Sequence, residues 1–551
     1  MRPSPLRSLL SFAIVALSFG SISAQPVAEK VRVKVRMSPE KAMEAKLRPY
    51  SIIRSDQNSI MMLRSGDFDV HAFGTFKTSV EVYDRDKLMR IRSMEPVLER
   101  SGHEKLFIEN LVYFAGRPML IARGGEEAVR LYYQPLDPNL TKLAPAFERF
   151  SEFPMEIKAY RPVAAQKGVS IRQPFQTAVS KDSTKMLVYS PEIRNPEEEG
   201  AFYLLTVVDA NMHVLWNNIL RVAEGIRLSE VVDAEVDNLG NAFVLMKNDL
   251  GDQDEGKSNM EVVLHRLSDG DISQVPIPLG SSIVVGAMLR TLPNDHVACA
   301  GIYASSEAGT ITAEGNFLAV FDSTSTALGE PMLMPFSGES SFTFEGDAGE
   351  LDDEKEGKGG GEEGKKMKRT AVNDDVIAML PRTDGGFFIV NEVSVINERR
   401  DSETGRVSQE FHFGPVQARS FDKDGHEQWS TFFRRWSSSD SPLLGRVFSV
   451  DFDNKLFLFL LDTEEMTENR KSGAPITTKQ TQKPFSAYVS FDEKGAFKAK
   501  PVLRGESGSD FIAGSELVRF GANEYIALGT DNLLSGHFLP VKIELSYETK
   551  K

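Results

Sequence analysis

The stretch that decides the fold is DAEVDNLGNAFVLMK, which runs from Asp233 to Lys247. Two apolar segments, AEV and AFVLM, flank the polar turn DNLGN. Asp, Asn and Gly favour chain reversal, because they tolerate positive φ or bond their own backbone. The stretch therefore predicts a β-hairpin.

The same unit of apolar strand, short polar turn and apolar strand recurs along the whole chain. The other copies are SIIRSDQNSIMMLRS from Ser51, NLVYFAGRPMLIARG from Asn110, TAVSKDSTKMLVYS from Thr177, AMLRTLPNDHVACAG from Ala287, AMLPRTDGGFFIVNE from Ala378, FSVDFDNKLFLFLLD from Phe448 and ELVRFGANEYIALGT from Glu516. Self-similarity of this kind indicates a repeat architecture, so length alone does not count the domains.

A second hairpin type alternates with the first and consists of an apolar strand that ends near an Asp, a polar turn and a weaker strand. Examples are VEVYDRDKLMRIRS from Val80, LLTVVDANMHVLWNNIL from Leu204, LAVFDSTSTALGEPML from Leu318, QARSFDKDGHEQWSTFF from Gln417 and AYVSFDEKGAFKAKPVL from Ala487. Looser versions begin at Leu131 and Val262. The two types together predict units of four antiparallel strands, spaced about 55 to 90 residues apart.

Repeated four-stranded units are the building blocks of β-propellers, and nearly the whole chain after residue 24 resembles β-propellers in general. The resemblance rests on this pattern, since no WD dipeptide, kelch double glycine or calcium-repeat signature recurs. Trp216 and Trp429, each seven residues after an Asp, faintly resemble quinoprotein blade motifs. Only two of eight units carry this tryptophan, and we interpret both side chains as packing residues.

The two ends of the sequence predict how the ring closes. The eighth unit has its first hairpin and then only one further strand, PVKIELSY from Pro540. An orphan strand, EKVRVKVRM from Glu29, stands near the other end. Adding it to the last unit would complete eight four-stranded blades and hide exposed strand edges. The all-β alternatives are a propeller of seven blades and two packed β-domains.

The first 24 residues have the features of a signal peptide: Arg2 and Arg7, an apolar stretch from Leu9 to Ile22, and the small residues Ser23 and Ala24. We therefore expect export to a periplasm or to the outside of the cell. Residues 25–551 are expected to form a single β-propeller domain without a membrane-spanning segment. An insertion at 337–373 is acidic, then glycine-rich, then basic, and this composition predicts disorder.

Composition narrows the classes of ligand. The formal net charge of −15 argues against nucleic acid, which selects basic surfaces. No zinc-protease, nucleophile-elbow or dinucleotide motif occurs, and we expect no cofactor. One weak calcium candidate is the acidic loop with Asp249, Asp252, Asp254 and Glu255, because carboxylates at such spacing can hold Ca²⁺. Its alternative is a solvated acidic loop.

A propeller places the connections between its strands on two opposite faces. The turns between strands one and two and between strands three and four are short and define the short-turn face. The other connections define the long-loop face; long polar ones are expected at Ser65–Thr78, Pro191–Gly200, Asn248–Asn259, Ser305–Gly315, Asn391–Pro415 and Asp462–Pro484. Because elaborated loops on a rigid scaffold carry function, we expect the long-loop face to be the working one.

Two functions are compatible with this architecture. The first is a non-enzymatic binding or assembly module that holds a protein, peptide or glycan partner outside the cytoplasm on its long-loop face. The second is an extracellular hydrolase or lyase that uses acidic residues at the mouth of the central channel. The sequence does not identify catalytic residues for the second.

Overall fold

A computed structural model describes most of the chain. The described residues are 30–40, 47–66, 78–97, 106–124, 128–142, 144–154, 175–194, 201–222, 226, 228–250, 260–292, 296–307, 310–336, 368–400, 407–423, 425–439, 445–473, 484–503, 510–530 and 538–548. The predicted signal peptide and residues 337–367 of the predicted insertion lie outside them. The last six residues of that insertion belong to the strand Lys368–Pro381.

The described strands form eight separate antiparallel sheets, here called blades 1 to 8 in chain order. Within each blade the strands follow one another from the first to the fourth position. Blade 1 comprises Leu47–Arg54, Ser59–Gly66, Thr78–Asp84 and Arg90–Met94, and blade 2 comprises Phe107–Phe114, Arg117–Gly124, Val129–Pro135 and Glu148–Phe153. Blade 3 comprises Gln176–Val179, Lys185–Tyr189, Ala201–Asp209 and Val214–Arg221, with the short Ile193–Arg194. Blade 4 comprises Leu228–Val236, Ala242–Asp249, Met260–Ser268 and Asp271–Pro276.

The remaining blades follow the same order. Blade 5 comprises Ile283–Thr291, Val297–Glu307, Thr310–Phe321 and Met332–Pro335, and blade 6 comprises Lys368–Pro381, Phe387–Arg400, Val407–Phe421 and Glu427–Phe433, with the short Ser437–Ser439. Blade 7 comprises Phe448–Phe452, Lys455–Asp462, Phe485–Phe491 and Phe497–Leu503. Blade 8 comprises Phe511–Arg519, Glu524–Thr530, Phe538–Tyr547 and, as its fourth strand, Val31–Met37. One helix, Glu464–Ser472, follows the second strand of blade 7. In the part of the chain described, no helix has the length and apolar character needed to cross a membrane.

The ring is closed by the N-terminal strand, as predicted. Val31–Met37 pairs antiparallel with Phe538–Tyr547 and so supplies the fourth strand of blade 8. Alternate residues of this strand, Val33 and Val35 among them, pack into the core between blades 7 and 8. The first strand of each blade contacts the first strand of the next, and that of blade 8 contacts that of blade 1. The predicted eight-bladed propeller is confirmed, and the alternatives of seven blades or two domains are wrong.

An Asp recurs before the turn between the third and fourth strands of a blade, here called the outer turn, and it has a local structural role. In the outer turn of blade 3, Asp209 Oδ1 accepts the backbone N–H groups of Asn211 and His213, at 2.8 and 2.9 Å. Asp322 and Asp492 each accept two turn amides in the same way. The carboxylate replaces backbone partners that a tight turn cannot supply, which explains why the turn recurs with an Asp at its start.

The two tryptophans of the repeat pack between blades, as expected. Trp216 is buried and its Nε1–H donates to the carbonyl oxygen of Gly240 in blade 4, at 2.9 Å. Gly240 has a φ of 94°, which a residue with a side chain adopts only with strain. Trp429 stacks on Phe491 of blade 7 with ring centroids 5.4 Å apart. Both indoles therefore join one blade to the next.

Carboxylates also join blades at the central channel, because the first strand of each blade is a sheet edge with unpaired backbone groups. Glu109 of blade 2 accepts the N–H of Phe175 in blade 3, at 2.9 Å. Asp233 of blade 4 accepts the N–H of Leu289 in blade 5, also at 2.9 Å. Glu392, in the second strand of blade 6, accepts the N–H of Val447, which leads into blade 7, at 3.0 Å. These bonds satisfy edge amides that would otherwise be buried without a partner.

His265 is a buried polar side chain in the third strand of blade 4. It is 5% exposed, and its Nδ1 makes no hydrogen bond to any residue that the structure describes. Burial lowers the pKa of His265 to about 4, because the charged imidazolium is disfavoured away from water. His265 therefore remains neutral in the folded protein at pH values where the unfolded chain takes up a proton.

This difference predicts a pH-dependent stability. Between pH values of about 6.5 and about 4 the unfolded chain binds one more proton at this site, so the free energy of unfolding falls by up to about 3 kcal/mol as the pH is lowered. His265→Leu should lack this contribution. Urea unfolding of both proteins at several pH values measures the difference. Equal pH dependence of the two would contradict the prediction.

Candidate functional site

The most distinctive feature of the long-loop face is an arm that projects from blade 6. The first three strands of this blade have 14, 14 and 15 residues, whereas strands of the other blades have at most 12. Their pairing continues to Lys368 opposite Arg399 and to Arg400 opposite Val407. We call residues 368–375, 393–400 and 407–413 the blade-6 arm. At about 3.3 Å per residue, its eight-residue strands are roughly 25 Å long.

The arm corrects the prediction of an irregular loop at Asn391–Pro415. Most of that segment is paired strand, as is most of Ser305–Gly315 in blade 5. The connection Asp462–Pro484 contains the helix Glu464–Ser472, which Thr463 caps by accepting the N–H of Met466. The other predicted long connections fall largely outside the described residues.

The base of the arm is fixed by a buried ion pair. The side chains of Arg435 and Glu392 are 0% and 1% exposed, and Arg435 Nη2 lies 2.8 Å from Glu392 Oε1. Arg435 also donates from Nε to the carbonyl oxygen of Gly414, at 3.1 Å. The short strand Ser437–Ser439 pairs with Phe411–Phe413 beside it. The arm is thus anchored on a rigid support.

A buried amide network ties the same blade to blade 5. Asn316 and Asn391 donate to each other through their side-chain amides, at 3.1 and 2.9 Å. Arg419 donates to Asn316 Oδ1 and to the carbonyl oxygen of Met334. These contacts hold blades 5 and 6 in register at the root of the arm.

The calcium candidate is only partly within the described residues. Asp249 ends the second strand of blade 4, where it pairs with Leu228 and Met260. Asp252, Asp254 and Glu255 lie outside the described residues. Among the residues that the structure does describe, no cluster of three His, Cys, Asp or Glu side chains could hold a metal ion. Calcium at this loop stays a prediction.

Two acids do converge on the wall of the channel. Arg290 Nη1 lies 3.3 Å from Asp233 Oδ2 and 3.2 Å from Glu235 Oε1, and it also donates to the carbonyl oxygen of Leu289. Asp233 and Glu235 are neighbours on one side of the first strand of blade 4, and Arg290 belongs to the first strand of blade 5. All three side chains retain exposure, between 20% and 38%.

The electrostatics of this site favour protonation. Burial raises the pKa of Glu235 to about 7, since removal from water disfavours the carboxylate, while Arg290 opposes the shift. Burial also raises the pKa of Asp233. Both acids and Arg290 lie near the ends of strands that lead into turns of the short-turn face. The converging acids are therefore closer to that face than to the long-loop face.

No protein-family model and no curated protein sequence matches the chain. Several solved structures are similar in fold. The WD40 domain of SCAP from fission yeast has 8% identity and a TM-score of 0.34, with 94% of this chain and 98% of that chain covered. The polysaccharide lyase Uly1 has 8% identity and a TM-score of 0.36, with 83% and 90% covered.

The extracellular domains 1-2 of Drosophila Semaphorin 1b are also similar, with 9% identity, a TM-score of 0.33, and 94% and 87% covered. One of these three proteins is a polysaccharide lyase, and another consists of extracellular domains. Likeness at this level bears on the fold alone, so the function must be argued from the residues of this chain.

Proposed function

We propose that this protein is an exported, non-enzymatic binding module that engages a partner outside the cytoplasm through its long-loop face. The observation that carries the proposal is the blade-6 arm, a paired three-stranded extension on a buried, ion-paired base. Of the protein, peptide and glycan partners, a protein fits best. Stable protein interfaces bury roughly 800 Å² on each side, and a projecting sheet offers such an area where a closed pocket would not.

Shortening the arm should abolish partner binding without unfolding the propeller. Val395 pairs directly with His412, so residues 396–411 can be replaced by an Asn-Gly turn. We expect retention of the partner from an envelope or culture fraction to fall at least about tenfold, and isothermal titration with the identified partner to confirm the loss.

The matched control shortens a connection on the opposite face. Residues Thr324 to Leu328, in the outer turn of blade 5, are replaced by an Asn-Gly turn. This variant tests whether shortening any connection of the propeller lowers partner retention. Equal retention by the arm variant and the unaltered protein would refute the role of the arm.

A second candidate function is a hydrolase or lyase that uses the channel wall, and the convergence of Asp233 and Glu235 on Arg290 favours it. A carboxyl group whose pKa lies near neutrality can donate and accept protons at physiological pH. In this proposal Glu235 acts as the general acid or base, and Arg290 stabilises negative charge on the substrate.

Glu235→Gln tests this candidate on a panel of soluble polysaccharides, with new reducing ends and unsaturated products as readouts. Any turnover should fall at least about 100-fold in the variant. The control is Asp451→Asn, which alters another channel-wall acid that faces an arginine, Arg519, at 3.6 Å. No turnover by the unaltered protein, or equal turnover by the Glu235 variant, would exclude this candidate.

A further inference from the structure

A cleft of about 340 Å³ opens on the short-turn face, where the turns of blades 6 and 7 meet. It lies on the opposite face from the blade-6 arm. Its walls come from the first-to-second strand connections of both blades, from the third-to-fourth connection of blade 7 and from the start of the fourth strand of blade 6. The cleft is comparable in size to small ligand pockets, which start at roughly 300 Å³.

Aromatic rings form the floor of the cleft. Trp429 lies between Phe388 and Phe491, with centroid distances of 5.9 and 5.4 Å. All three side chains are less than 10% exposed and belong to the core between blades 6 and 7. The floor is therefore rigid and independent of any ligand.

Two side-chain amides in the wall have their oxygens already occupied by the protein. Gln428 Oε1 accepts from Arg382 at 2.7 Å and from Ser420 at 3.0 Å. Asn454 Oδ1 accepts from the backbone N–H and the hydroxyl of Thr383, at 2.8 and 2.9 Å. Neither amide nitrogen bonds to any residue that the structure describes. Both residues line the cleft, and the bonds to their oxygens leave their N–H groups available to a ligand.

The carboxylate of Asp492 adds a hydrogen-bond acceptor to the two amide donors of the cleft. Asp492 Oδ1 accepts the amides of Lys494 and Ala496, both at 2.9 Å, and this leaves Oδ2 for another donor. The charges that line the cleft are balanced, since two cations, Arg382 and Lys455, and two carboxylates, Asp492 and Glu493, belong to its lining. A strongly charged ligand would be repelled by the lining residues that carry the same sign of charge, whereas a neutral ligand would not be repelled.

We propose that this cleft binds a neutral sugar residue. A hydroxyl group both donates and accepts, so neighbouring hydroxyls of one sugar can accept from the amides of Gln428 and Asn454 and donate to Asp492. The apolar face of the sugar ring would lie towards the aromatic floor. This site is independent of the proposed function, since it shares no residue with the blade-6 arm or with the channel acids.

The test uses isosteric substitutions that remove the donors and keep the protein's own bonds. Gln428→Glu and Asn454→Asp retain the occupied oxygen of each amide, and aspartate also tolerates the φ of 58° at position 454. The probes are maltotriose, cellotriose and mannotriose, titrated to about 10 mM into the full chain by calorimetry. We expect a dissociation constant on the order of 1 mM for one of them, weakened at least about fivefold by each substitution.

Asn238→Asp is the matched control. Asn238 occupies the corresponding turn of blade 4 and accepts the N–H of Asp182 from blade 3, at 3.2 Å, as Asn454 accepts that of Thr383. Its sugar binding should equal that of the unaltered protein. Three results would each overturn the proposal: no binding of any of the three probes, cleft variants that bind the sugar as tightly as the unaltered protein, or a control variant weakened as much as the cleft variants.

Discussion

Replacing Glu392 by alanine is expected to lower the free energy of unfolding by about 3 to 5 kcal/mol, because it leaves the buried charge of Arg435 without its carboxylate. The loss also removes the acceptor of the Val447 N–H at the start of blade 7. Burial already lowers the pKa of Arg435, which reflects how poorly this environment solvates the guanidinium group. Urea unfolding at neutral pH measures the effect.

Two controls separate the buried charge from a general effect of truncation. Glu392→Gln keeps the oxygen that accepts from Arg435 and Val447, and it should lose less stability than the alanine variant. Glu152→Ala removes a glutamate from an exposed ion pair, since the side chains of Arg149 and Glu152 are 51% and 39% exposed. That change should cost less than about 1 kcal/mol. Similar losses for Glu392→Ala and Glu152→Ala would contradict the prediction.

Deleting residues 30–38 should open the ring and lower the free energy of unfolding by at least about 5 kcal/mol. The deletion removes the apolar side chains of Val31, Val33, Val35 and Met37 from the core between blades 7 and 8. It also exposes the edge of Phe538–Tyr547, which would pair with other chains. The thermal midpoint and the monomer fraction on size exclusion report the two consequences.

The missing strand should be replaceable in trans. A synthetic peptide with the sequence EKVRVKVRM should restore the thermal midpoint of the shortened chain, since it supplies the same backbone bonds and apolar side chains. A peptide with Asp at the positions of Val33 and Val35 should fail, because those side chains enter the core. If the shortened chain were as stable and monomeric as the full chain, closure by this strand would be unnecessary.

The eight-bladed ring can be predicted from the sequence because the patterns that indicate it are local. Polar turns such as DNLGN report chain reversal directly, and the unpaired strands at Glu29 and Pro540 each lack a neighbour in their own unit. The segment Asn391–Pro415 was misread for the opposite reason. Its central part, NERRDSETGRVSQE from Asn397 to Glu410, is almost wholly polar and lacks the alternating apolar pattern on which strand prediction depends, although its two ends pair with each other.

The candidate sites depend on contacts that no sequence pattern encodes. Asp233 and Glu235 stand at alternate positions in the hairpin from Asp233 to Lys247, which indicates a shared side of the strand. Their partner Arg290 lies in the next blade. The sequence does not predict this contact, because the contact depends on how blades 4 and 5 pack together. The orientation of Gln428 and Asn454 likewise depends on bonds to Arg382 and Thr383.

Three bonds of one kind join neighbouring blades, from blade 2 to 3, from 4 to 5 and from 6 to 7. In each, a carboxylate of one blade accepts a backbone N–H of, or leading into, the first strand of the next. Removal of one blade of such a pair would leave a carboxylate or an edge amide without its partner, whereas removal of both blades would not.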